Sequence, residues 1–285
     1  MATVNQKTLG RWIGRTETRN DVVTPVPIAA LSATLDRDDP TPRIGDALPP
    51  LWHWLFFLPI DPLANAGPDG HPARGGFLPP VSLPRRMWAG SRIEFARPLT
   101  VGAPISRVSR IASVTAKEGR SGPLVFVVVR HQISDAAGVA LTEEHDIVYR
   151  DNPQAGELAP SAQSAPADAA WTRDIVPGPV LLFRYSALTF NSHRIHYDRR
   201  YVAEVEGYPG LVVHGPLIAT LLLDHLRRNR PRAVVARFTF RALSPLFDVA
   251  PFAVCGRPDD DRNIVRLWAR NAQGGLAMDA TATLG

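Results

Sequence analysis

The residues best equipped for chemistry lie in two neighbouring segments, Asn191-Ser192-His193-Arg194-Ile195-His196-Tyr197-Asp198 and Val213-His214-Gly215-Pro216. Together these hold three of the chain's eight histidines. His193 and His196 are three apart, so a helical turn places both on one face. Gly215-Pro216 opens an apolar run from Leu217 to Leu223 that reads as a helix start, and a helix N-terminus leaves backbone N–H groups without intrahelical partners. Titratable imidazoles beside oriented N–H donors suit proton transfer at a carbonyl or thioester whose oxygen gains charge. A His-x-x-His pair with a third His also fits a zinc or iron site. Asp198 is the single carboxylate at a ligand-like spacing, however, and acid–base work is the favoured reading, with no metal and no cofactor expected. His53, His71, His131, His145 and His225 stand apart in the sequence and read as packing residues.

The elements that must position this cluster follow from punctuation and periodicity. Asn152 to Asp168 is rich in Pro, Ala and Ser and reads as a linker. It divides the chain into residues 1–151, 152–168 and 169–285. Each half carries a Pro-Leu element followed by a second Pro, at Pro98-Leu99 to Pro104 and at Pro245-Leu246 to Pro251. Each then carries a turn, Ser134–Leu141 and Arg270–Ala277, in the same order, as an internal duplication would leave them. Alternating and β-branched runs at 108–114, 124–133, 142–149, 234–240, 251–257, 263–270 and 276–283 read as closely spaced antiparallel strands. One helix per half stands out. Thr24-Pro25 starts one, and Pro216 to Arg228, apolar nearly all round, is a buried one. The expected class is α+β, with an antiparallel sheet wrapping a helix twice over. The aromatic run Trp52-His53-Trp54-Leu55-Phe56-Phe57 reads as packing between the halves or as the wall of an apolar channel.

Composition narrows the function. The single cysteine, Cys255, rules out an intramolecular disulfide and fits a reducing cytoplasm. No apolar run is long enough to span a bilayer, and Met1 to Lys7 lacks the apolar core of a signal peptide. The net charge of +5 is carried almost wholly by arginine. Its guanidinium fork suits a phosphate-bearing ligand, whereas the scatter of basic among acidic residues argues against nucleic acid. No Gly-x-Ser-x-Gly elbow occurs, which excludes the usual α/β-hydrolase nucleophile.

The stretch Ser186 to Asp198 resembles the hydratase motif of the MaoC-like enoyl-thioester hydratases and dehydratases. That motif is an Asp, an Asn two residues on, a His three further and an Asp two beyond that. Val213-His214-Gly215 resembles the family's His-Gly at the start of its central helix. The variant Phe-Asn-x-His-x-Ile-His-Tyr-Asp is similar to the branch of mitochondrial hydroxyacyl-thioester dehydratases and bacterial hydratases of mesaconyl-C4-CoA or itaconyl-CoA. The resemblance implies two fused hot-dog domains, the first degenerate and substrate-binding, the second catalytic. It makes His196 the general base and the Gly215 N–H the donor to the thioester oxygen. Asn191 stands where the family has Asp, and His193 where it has Asn. A carboxamide cannot exchange a proton as a carboxylic acid does, so Asn191 and His193 are expected to orient water, with His193 also a proton donor to the α-carbon. Arg194, His214, Arg85, Arg86 and Trp88 are the expected substrate-binding residues. The implied substrate is an acyl-CoA, with acyl carrier protein as the other carrier; self-association stays open. A fatty-acid 3-hydroxyacyl-thioester dehydratase, a thioesterase and a non-catalytic acyl-CoA-binding protein are the competing readings.

Overall fold

The computed structural model describes residues 6–72, 75–119, 122–152, 163–261 and 263–285. The first half contributes β1 (Thr16–Val22), β2 (Arg85–Phe95), β3 (Pro104–Gly119), β4 (Gly122–Asp135) and β5 (Gly138–Arg150). The second contributes β6 (Trp171–Ile175), β7 (Val235–Ala242), β8 (Phe252–Pro258), β9 (Ile264–Arg270) and β10 (Leu276–Leu284). They form one ten-stranded sheet in the order β1-β3-β4-β5-β2-β7-β10-β9-β8-β6, antiparallel throughout. Read outward from the centre, the halves repeat one order, β2-β5-β4-β3-β1 and β7-β10-β9-β8-β6. The two Pro-Leu elements occupy equivalent places, between β2 and β3 and between β7 and β8, which explains their shared order in the sequence.

The halves meet where β2 pairs with β7, from Gly90↔Arg241 to Glu94↔Arg237. A Cβ on Gly90 would collide with the Phe240 carbonyl, so close approach at the seam requires glycine. The register of β2 against β5 shifts between Trp88 and Gly90, a β-bulge beside the seam.

The helices are α1 (Gln6–Leu9), α2 (Pro25–Thr34), α3 (Pro179–Leu188), α4 (Arg199–Glu204) and α5 (Gly215–Asn229). They are unequal. Every residue of α5 from Leu217 to Leu226 is buried, and the helix runs along β8, β9 and β10. The shorter α2 packs chiefly on α3 and on the single turn Trp52–Leu55. Much of the space facing the first-half strands is therefore a cavity. Buried Asp224 on α5 binds Arg37 of the first half at 2.6 Å, with Arg173 at 2.8 Å and Arg228 at 2.9 Å. This pins α5 at its C-terminal end.

Of the linker, residues 153–162 lie outside the described residues. Its later part is fixed to the β9–β10 turn: Leu276 N–H donates to Gln163 O at 2.7 Å, and Ala165 N–H to Gly274 O at 2.9 Å. Among the described residues, no helix is long and apolar enough to cross a membrane. Gly90→Val should overpack the seam and lower stability by about 1–3 kcal/mol, seen as an earlier denaturant midpoint.

Candidate active site

The motif segment begins where α3 ends. Phe190 takes a left-handed conformation (φ 50°), which is costly for a bulky residue and persists where surrounding contacts enforce it. Asn191 N–H then donates to Ser186 O at 2.8 Å. The Asn191 carboxamide oxygen accepts the His193 N–H at 3.0 Å, which fixes the side chain and leaves its amide N–H groups to hold a water. Asp198 accepts the Tyr201 N–H at 3.0 Å and caps α4.

Between these anchors a single turn, Arg194–His196, turns His196 inward to 7% exposure. Its Nδ1 lies 2.7 Å from Val212 O. A carbonyl can only accept, so the proton sits on Nδ1 and Nε2 keeps its lone pair. Burial pushes the His196 pKa down to about 4, so the ring is neutral at physiological pH. His214 stacks on it, ring centroids 3.6 Å apart and planes 18° from parallel. His214 Nε2 is held by Ser186 Oγ at 2.8 Å. Burial, then the neighbouring His196, push His214 well below its ordinary value. His193 meets His196 edge-on at 5.5 Å. Burial, then His71, lower His193 to about 2.

A first-half loop completes the cluster. Asp69 Oδ2 is 3.1 Å from His71 Nδ1, and the His71 ring lies 3.9 Å from that of His193. The loop is docked on the motif: Ser192 Oγ donates to Gly70 O at 2.5 Å, Arg194 N–H to Asp69 O at 2.9 Å, and Arg194 Nη1 to Pro68 O at 3.0 Å. Gly70 sits at φ +89°, and a Cβ there would strike the Ser192 carbonyl. His71 is one of the residues the sequence reading set aside; Pro68-Asp69-Gly70 is a turn signal, but nothing local ties it to residue 193. Asp69, His71 and His193 could close on a cation, their ligand atoms lying within 4.8 Å of one another. The Asp69–His71 contact is also a hydrogen bond, as in a carboxylate–imidazole acid–base pair.

All of this opens on a cavity of about 1860 Å³ lined by both halves. Gly215 lies on its wall at the start of α5, its N–H without a partner among the described residues and room for a Cβ only up to ordinary contact with the Trp88 carbonyl. Arg86 and Trp88 on β2 also line it. Arg86 has no carboxylate partner among the described residues and is close enough to His193 to lower its pKa. Arg85 faces the cavity but is occupied by Tyr208 Oη at 2.8 Å, Glu206 O at 3.0 Å and Asn152 Oδ1 at 3.0 Å. The structure corrects two of the expected substrate contacts. Arg194 does not line the cavity; it is bound to Asp198 at 2.7 Å and lies over the Tyr201 ring. His214, 1% exposed, sits behind His196 and supports it.

Beyond Trp88 the cavity wall is polar. The Trp88 ring packs on His145 at 4.1 Å. Glu143, 2% exposed, contacts His145 Nε2 at 2.6 Å, His53 Nε2 at 3.0 Å and Trp54 Nε1 at 3.1 Å. Burial pushes the Glu143 carboxyl up, but His145 and His53 pull it further down, so it stays ionised. Four of the six residues of the aromatic run, His53, Trp54, Phe56 and Phe57, thus line the cavity, and Trp52 and Leu55 pack in the core.

Comparison with solved structures defines the architecture. A MaoC-like dehydratase aligns with TM-score 0.71 over 97% of this chain and 99% of its own, at 15% identity. A Mycobacterium tuberculosis protein described as having a double hot-dog fold aligns with TM-score 0.60 over 95% of this chain and 96% of its own, at 13% identity. The chain is a double hot-dog protein. The family model of hydroxyacyl-thioester dehydratase type 2 matches residues 51–248, and the chain belongs to that family of hydro-lyases. The mesaconyl-C4-CoA hydratase of Chloroflexus aurantiacus is 50% identical over 96% of this chain and 97% of its own. The mitochondrial hydroxyacyl-thioester dehydratase type 2 of Schizosaccharomyces pombe is 29% identical over 82% of this chain and 88% of its own.

Neutral burial of His193, His196 and His214 makes stability depend on pH. Each folded pKa lies below the unfolded value near 6.5, so the unfolded chain takes up protons first as pH falls. The stability these rings contribute is present above about pH 6.5 and is lost progressively toward about pH 4. Denaturant midpoints should fall between about pH 7.5 and about pH 5, with a shallower fall in His214→Gln.

Proposed function

We propose that this chain hydrates mesaconyl-C4-CoA to citramalyl-CoA. The observation that carries the reading is the 50% identity, nearly end to end, to a hydratase of that thioester. In this reading the second half supplies the chemistry and the first half covers the acyl group. Water adds to the β-carbon while His196 Nε2 takes its proton. The Cα=Cβ electrons move toward the thioester, whose oxygen accepts from the Gly215 N–H at the positive end of α5. Asn191 holds the water through its amide N–H, and a proton delivered to the α-carbon completes the addition.

Mesaconyl-C4-CoA carries its free carboxylate on the β-carbon itself, so a charge must be met within one bond of the reacting atom. An unpaired carboxylate is costly to bury. Arg86, cationic, without a carboxylate partner among the described residues and near His193, supports that role. Itaconyl-CoA, which yields the same product, is the second dicarboxylic candidate. The family model and the Schizosaccharomyces pombe relative favour a different reading, a 3-hydroxyacyl-thioester dehydratase of fatty-acid synthesis, with acyl carrier protein as a carrier. The Glu143 cluster weighs against a long alkyl tail, which would lie against charged groups past Trp88 and strip their solvation.

The test is turnover of mesaconyl-, itaconyl-, crotonyl- and long-chain enoyl-CoA, followed by loss of enoyl-thioester absorbance. Mesaconyl-C4-CoA should be the best substrate. Arg86→Gln should raise its KM by roughly 10-fold or more while changing crotonyl-CoA little. His196→Ala should lower kcat about 10²–10⁴-fold for every substrate. Preference for long-chain substrates, or equal loss on mesaconyl-C4-CoA and crotonyl-CoA in Arg86→Gln, would contradict the assignment.

A further inference from the structure

We propose that His71, oriented by Asp69, is the second acid–base group of the hydration, supplied by the first half in place of the carboxylic acid that Asn191 cannot provide. The inference rests on the enoyl-thioester hydratase reading and extends it to a loop far from the motif. Three observations carry it. The loop is fixed to the motif by hydrogen bonds from Ser192 and Arg194, with Gly70 required at the contact. The Asp69 carboxylate grips His71 twice, Oδ2 at Nδ1 (3.1 Å) and Oδ1 at the backbone N–H (3.0 Å). The His71 ring then faces His193 and the cavity.

A carboxylate on Nδ1 fixes the tautomer and stabilises the imidazolium, so the second nitrogen can donate. The Asp69 carboxyl supports this geometry: burial pushes it up, but the two His71 hydrogen bonds hold it well below the ordinary range. Among the described residues, the groups near His71 include Asp69 from its own loop and His193 and His196 from the motif, and Arg86 of β2 lies near His193. Tyr201 of α4 lies near Asp69.

The step balances with the residues present. Water oxygen bonds to the β-carbon and its proton passes to His196 Nε2. The π electrons shift onto the α-carbon and thioester oxygen, and the His71 imidazolium gives its Nε2 proton to the α-carbon. His196 is then protonated and His71 neutral. His193 lies 3.9 Å from the His71 ring and 5.5 Å from that of His196, and it is neutral, able to accept on one nitrogen and release from the other. It is the route by which the proton returns to His71 before the next turnover.

The experiment compares the full-length wild type with His71→Ala, His71→Gln and Asp69→Asn, on mesaconyl-C4-CoA and crotonyl-CoA across pH, with folding checked by circular dichroism and thermal midpoint. His71→Ala and His71→Gln should each lose about 10²–10⁴-fold in kcat on both substrates, with KM changing little. Asp69→Asn should lose less and move the alkaline limb of kcat/KM to lower pH, because the imidazolium loses its counter-charge. A merely structural loop would leave that limb in place. Folded His71 variants within about threefold of wild-type kcat, or an Asp69→Asn profile of unchanged shape, would overturn the proposal. So would wild-type activity that EDTA abolishes and zinc restores, since Asp69, His71 and His193 would then be ligands. Absence of wild-type turnover on every enoyl-CoA would instead remove the hydratase reading, and the proposal with it.

Discussion

The structure depends on one short ladder, the pairing of β2 with β7. It joins two units of the same strand order into a single sheet. It also sets Trp88 and Arg86 of the first half against the second half: the Trp88 carbonyl is 3.9 Å from where a Cβ on Gly215 would stand. Every group with a part in the chemistry is then measured from that seam. The buried Asp224, held by three arginines of which Arg37 belongs to the first half, closes the other end of α5. With both ends fixed, the Gly215 N–H at the start of α5 is held on the cavity wall without needing to be assembled during turnover, which is the condition for electrostatic stabilisation to be effective.

The duplicated architecture has been used asymmetrically. The second half keeps a long helix beneath its strands, and that helix supplies the N-terminal donor. In the first half the shorter α2 lies on α3, and the strand face it leaves uncovered becomes the cavity wall. Burial is what gives the site its electrostatics. His196 and His214 are neutral because they are out of water and His193 because it is largely so, and the Val212 carbonyl fixes which nitrogen of His196 carries the lone pair. A neutral, well-oriented imidazole is a ready base, and the stability lost at acid pH is the counterpart of that burial.

Much of this was legible in the sequence. The strands from β3 to β5 and from β7 to β10, the buried helix α5 and the internal repeat follow from alternation, Pro-Leu punctuation and an all-round apolar run. His196 and Gly215 follow from the motif. The parts that were hidden are all contacts between distant residues. Nothing near Gly67 to His71 announces that the loop docks 122 positions away on Ser192. Glu143, flanked by Glu144 and His145, reads as a polar strand residue, yet its carboxylate is buried among His53, Trp54 and His145. Arg194 illustrates the reverse: its place beside the motif suggested a ligand contact, but the i,i+4 partner Asp198 and the Tyr201 ring absorb its charge. Adjacency in sequence marked the proposed base and donor; it could not mark what the other half contributes.

The central claim is that one active site is assembled from both halves around the start of α5. A crystal structure with a bound, unreactive saturated thioester of the C5 dicarboxylic acid tests it most directly. The expected result places the thioester oxygen about 3 Å from the Gly215 nitrogen, the β-carbon facing His196 Nε2, the α-carbon on the His71 side and the free carboxylate on Arg86. An acyl group bound elsewhere in the cavity, with the Gly215 N–H left to solvent, would contradict the account.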